Sequence, residues 1–101
     1  MKLSDVKDIL DAEVIVGEEN LDMEVKTAFG ADLMSDVLAF ANSGSLLLTG
    51  LTNTQVIRTA NVLDIAAIIL VRAKQPSSET IALARELKIP ILTTKYILFE
   101  T

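Results

Sequence analysis

Six residues carry the binding chemistry this sequence can offer: Gly50, Thr52, Asn53, Arg72, Lys74 and Lys95. Arg72 can hold a phosphate or carboxylate through two parallel N–H bonds, while Lys74 and Lys95 act as point charges. Gly50 permits a sharp chain exit, and Thr52 and Asn53 stand where a helix would open. Helix amino termini hold anions through unpaired N–H groups and the helix dipole. Together these residues make a candidate pocket for an anion or a nucleotide. The same residue types also do plain structural work, since Thr caps, Gly turns and loop lysines stay solvated. Gly50 stands alone, with no GxGxxG and no Gly-Lys-Ser/Thr to cradle a phosphate.

Catalytic chemistry has little to stand on. The chain has no Cys and no His, so thiolate catalysis, disulfides and the usual neutral-pH proton carrier are all missing. Ser43 and Ser45 have no neighbouring base to activate them. Asp5 and Asp8 fit a solvated helix face, and Asp32 and Asp36 fit a cap and a first-turn charge. The acidic loop Glu18, Glu19, Asn20 and Asp22 lacks the alternating spacing and central Gly of a calcium loop. Tyr96 could stack on a base, but no second aromatic lies beside the presumed pocket. The expectation is a non-enzyme with no metal and no cofactor.

The elements that must position the six residues lie between Ser45 and Thr94. Three apolar runs stand there: Ser45–Thr49, Ala66–Val71 and Pro90–Thr94. Helical apolar spacing separates them, with Val56, Ala60 and Leu63 in one segment and Ile81, Ala84 and Leu87 in the next. A helix between two strands is the usual crossover that makes them parallel neighbours. Ala66–Val71, the most apolar run, is expected at the centre of the sheet. Ligands in such sheets bind beyond the carboxyl ends of the strands. There the three exits gather three of the nine basic residues.

Further signals fill in the rest. Thr52 and Gln55 fit a capping box, Ser77 or Ser78 caps the next helix, and Lys88 suits its negative end. Ser4 is expected to cap a first helix with Leu3, Val6, Ile9 and Leu10 as its stripe. Val14–Val16 reads as a short strand ended by Gly17. Val25, Thr27 and Phe29 alternate as a second, broken by Gly30. Asp32 caps a helix with Met34, Val37, Leu38 and Ala41 inward, closed by Gly44. The fold class expected is α/β, a mixed five-stranded sheet with a parallel β-α-β-α-β half and helices packed on it.

Totals set the class. With 101 residues, half of them hydrophobic, one domain over 1–101 can bury a core without staples. The formal charge of −5 argues against general nucleic-acid binding. The run Ile65–Val71 is far shorter than the roughly 20 residues of a membrane helix. The amino terminus turns acidic at once and shows no signal-peptide core, so a cytoplasmic protein is expected. Ile97, Leu98 and Phe99 make the tail strongly apolar and suggest cover for the sheet or contact with a partner subunit.

Leu46–Gly50, the stretch Ile68–Pro76 and the stretch Ala82–Thr94 resemble the DRTGG domain, as does the earlier segment Ala31–Leu38. The resemblance covers most of the chain and is nearest to stand-alone clostridial-type members, some encoded beside iron–iron hydrogenase and sensor-kinase components. It implies a fold similar to the amino-terminal domain of HPr kinase/phosphorylase. DRTGG domains also accompany CBS domains in regulated pyrophosphatases and occur in some phosphotransacetylases, as regulatory or dimer-forming modules. The signature itself departs: Leu51 and Thr52 stand where the family has Asp and Arg, and Val71, Arg72 and Ala73 where it has Thr, Gly and Gly. Gly50 and Pro76 match. The family's signature loops therefore do not transfer as a binding site, though Arg72 restores a cation.

The function expected is a small non-catalytic regulatory or interaction module. A homodimer is expected, with a link to hydrogenase or signalling components and room for a further protein partner. The alternative is a nucleotide or phosphate sensor, adenine nucleotides first, using the six residues named above.

Overall fold

The computed structural model describes residues 2–30, 44–50, 52–72 and 74–95. Five strands form one sheet: β1 (Glu13–Val16), β2 (Thr27–Gly30), β3 (Ser45–Thr49), β4 (Ala67–Leu70) and β5 (Ile91–Thr93). The described helices are α1 (Leu3–Leu10), α2 (Thr54–Val62) and α3 (Ser78–Leu87), with a 3-10 turn at Glu18–Asn20. The strand order is β1-β5-β4-β3-β2. The last three strands run parallel as expected, and β2 joins them parallel to β3. β1 is antiparallel to β5, which makes the sheet mixed. The helix expected after Asp32 and the apolar tail after Lys95 lie outside the described residues.

The apolar runs are continuous because both faces of the sheet are covered. Leu47, Ile68, Leu70 and Ile91 face one core, closed by Val56, Ile57 and Ala60 of α2 and Ala84 of α3. Leu46, Leu48, Ile69 and Leu92 face the other, closed by Leu3, Val6 and Leu10 of α1. β4 is central in the sheet and every one of its side chains is buried.

Two expected caps move. Helix α1 is capped at Lys2, not Ser4; the N–H groups of Leu3 and Ser4 donate to the Met23 and Leu21 carbonyls, both at 2.9 Å, and Leu3 is fully buried. Asp5 then accepts a bond from the Lys2 backbone N–H at 3.0 Å. Helix α2 is capped at Asn53, not Thr52; its side-chain oxygen accepts from the Val56 N–H at 3.3 Å. Of the two caps offered for α3, Ser77 and Ser78, the structure uses Ser77, which accepts from the Thr80 N–H at 3.2 Å. The strand read from Val25 starts at Thr27 and includes Gly30.

A buried hydroxyl ties α1 to the sheet. Thr94 donates to the Leu10 carbonyl at 2.7 Å, one of the carbonyls the last turn of α1 leaves without an intrahelical partner. Thr94→Val would leave that carbonyl buried without this donor. The expected loss is about 1–3 kcal/mol of stability, read from the urea midpoint at unchanged slope.

Candidate functional site

The carboxyl ends of β3, β4 and β5 form one rim. Thr49 pairs with Leu70 and Leu70 with Thr93, so the three exits leave the sheet side by side. The ladder continues one row further, with Val71 N–H donating to Thr49 at 3.0 Å and Thr94 N–H to Leu70 at 2.9 Å. Two strand spacings make this row about 10 Å wide, the scale of a small ligand. Gly50 leaves from β3, Arg72 and Lys74 follow β4, and Lys95 follows β5. Arg72, Lys74 and Lys95 are all exposed.

Arg72 has a backbone φ of 60°, the left-handed region. A side chain there costs about 1–2 kcal/mol relative to ordinary backbone. Lys74 is held by its main chain: its N–H donates to Val71 at 3.3 Å, and its carbonyl accepts from the Thr93 hydroxyl at 2.9 Å. The strand β5 hydroxyl thus fixes the loop that carries both cations.

The two helix starts meet at the same rim. Thr80 donates its hydroxyl to the Thr52 carbonyl at 2.9 Å, joining the first turn of α3 to the loop before α2. Thr80 has one hydroxyl proton, so in the 2.9 Å contact between the two hydroxyls Ser77 must be the donor. The polar atoms of Ser77 and Thr80 are therefore engaged within the protein, as is the side-chain oxygen of Asn53. The Arg72 and Lys74 side chains beside them are solvent-exposed.

The six residues do not form one uniform cluster. Gly50, Thr52, Asn53, Arg72 and Lys74 sit around the β3 and β4 exits. Lys95 instead lines a pocket of about 100 Å³ together with Asp11, Glu13, Gln75, Thr93 and Thr94. The two carboxylates come from the turn after α1 and from β1, brought over by the pairing of Glu13 with Thr93. They make the β5 corner of the rim mixed in charge, and the cationic part is the β3–β4 side. Leu51, Ala73 and Tyr96, weighed above for this edge, lie outside the described residues. Among the described residues no group of three or more His, Cys, Asp or Glu could hold a metal, and no helix is long and apolar enough to cross a membrane.

No curated protein sequence matches this chain. Its fold is that of a solved structure comprising the CBS and DRTGG domains of the regulatory region of Clostridium perfringens pyrophosphatase, complexed with its activator, diadenosine tetraphosphate. The TM-score is 0.77 at 24% identity, over 98% of this chain. This chain spans 43% of that one. The family profile described as the DRTGG domain matches residues 5–101. This match, over nearly the whole chain, places it in the DRTGG domain family.

Proposed function

We propose that this chain is a non-catalytic regulatory module, a single domain over 1–101, whose rim takes a phosphate-bearing, nucleotide-type ligand. Gly50, Thr52, Asn53, Arg72 and Lys74 form the ligand-facing set, with Lys95 at its margin. The observation that carries this reading is the conformation of Arg72. An exposed arginine holds a left-handed backbone, where glycine is the relaxed choice, at the shared rim of two helix amino termini. Strain of this kind collects at ligand-binding positions. The family pattern has glycine at that position, so the backbone shape agrees while a cation has been added to it. The pyrophosphatase region of like fold is itself complexed with an adenine dinucleotide activator, which supports adenine nucleotides as the first class to try.

Thermal unfolding with AMP, ADP, ATP and diadenosine tetraphosphate tests the reading. A ligand at a hundred times its dissociation constant adds about 2.7 kcal/mol of stability. Arg72→Gln should abolish that gain while the ligand-free protein still unfolds cooperatively. No upward shift with any of the four at millimolar concentration would overturn the sensor role. The regulatory role would then rest on association with a second copy or with hydrogenase or signalling components. The apolar sequence Ile97-Leu98-Phe99 favours that second reading. Light scattering across micromolar to millimolar protein decides it, since a strict monomer throughout excludes the homodimer.

A further inference from the structure

A second hollow lies at the opposite end of the sheet, where the parallel strands begin. It measures about 260 Å³ and lies between the 3-10 turn after β1 and the last turn of α3. One wall carries Glu18 and Glu19, the other Arg85 and Lys88. Ile15 and Val16 supply an apolar floor. We infer that this hollow is a binding site for a small zwitterion of the aliphatic α-amino acid class, with the ammonium on the glutamate wall and the carboxylate on the Arg85 side.

Charge balance is the first argument. The hollow is lined by two anions and two cations, yet among the described residues no ion pair joins the walls. Opposite charges that share a cavity but stay beyond pairing distance leave room for a molecule bearing both. A simple anion would meet two carboxylates and the negative end of α3, and a simple cation would meet Arg85 and Lys88. Only a ligand with both charges, one at each wall, is complementary throughout. The volume, just under the usual range of ligand cavities from about 300 Å³, restricts the occupant to a small one.

The backbone of both walls is also fixed before any ligand arrives. Gly17 has φ +90°, and a Cβ added there would lie 2.9 Å from the Pro90 Cβ, so the turn is seated directly on Pro90. The Asn20 N–H donates back to Gly17 at 2.9 Å, which holds Glu18 and Glu19 on one turn. Lys88 takes φ 60° at the end of α3, with its N–H bonded to the carbonyls of Ala84 and Arg85. A glycine would be relaxed at that cap, and the lysine instead places a cation at the hollow.

Backbone amide NMR with L-valine tests the assignment, against isovalerate, which lacks the ammonium, and isobutylamine, which lacks the carboxylate. L-valine should move the amides of Gly17–Asn20 and Arg85–Ile89, and neither single-charge analogue should do so at equal concentration. Arg85→Gln, and Glu18→Gln with Glu19→Gln, should each weaken L-valine binding about tenfold or more. These side chains are exposed, so the unchanged remainder of the spectrum reports that each variant is folded. Equal shifts from either analogue would overturn the zwitterion assignment. No localised shift with L-valine at tens of millimolar would overturn the site. Neither result bears on the nucleotide rim, which uses none of these residues.

Discussion

Ile68→Ala and Ile69→Ala should each cost about 2–5 kcal/mol of unfolding free energy, as large a loss as any single truncation here. The two residues are successive on β4, and their side chains point to opposite faces of the sheet. Ile68 packs in the core beneath α2 and α3, and Ile69 in the core beneath α1. Both are fully buried. In a sheet with one wet face, one of the pair would cost little. Urea melts at pH 7 measure the two losses, and a cost below about 1 kcal/mol for either would contradict a sheet covered on both sides.

Gly17→Ala should lose about 2–4 kcal/mol. Two terms combine: a side chain forced to φ +90° costs about 1–2 kcal/mol, and the new Cβ would press on Pro90 at 2.9 Å. Pro90 is a ring on the chain leading into β5 and cannot swing away as a long side chain can. Gly44→Ala gives the control. Its φ is +79°, but the nearest atoms an added Cβ would meet belong to the Lys26 side chain, at 3.0 Å from Cδ, which can move aside. It should therefore lose only the backbone part, about 1–2 kcal/mol. Denaturant midpoints of the two variants separate contact from conformation, and equal losses would remove the role assigned to Pro90.

Much of the architecture was legible because the sheet is covered on both faces. Leu46–Leu48 and Ala67–Leu70 are wholly apolar runs, as a doubly covered strand requires, and Gly50 and Pro90 punctuate the chain at strand boundaries. Helix caps were less legible, since residue type offers neighbouring candidates. Thr52 and Asn53 both cap well, and the choice falls to Asn53 while the Thr52 carbonyl bonds to Thr80 across the rim. That partner is 28 residues away and leaves no local trace. At α1 the Ser4 N–H is taken by the Leu21 carbonyl, a partner that the local sequence does not reveal.

The rim was legible in its cations and not in its anions. Lys95 could be placed by the parallel strands alone. Asp11 and Glu13 reach it only through the antiparallel pairing of β1 with β5, and a four-residue strand carries no sign of which neighbour it will choose. The hollow between the 3-10 turn and α3 depends on the same pairing. For that reason Glu18 and Glu19 read as a solvated loop, and Lys88 as a helix-end charge, until the fold sets them beside each other.

The register slip between Val14 and Val16 has a bearing on growth of the sheet. An irregular outer strand presents broken spacing to any incoming chain and discourages templated addition on that flank. The flank formed by β2 carries no such slip against β3. The two outer strands therefore differ as templates, and the slip makes the β1 flank the poorer one.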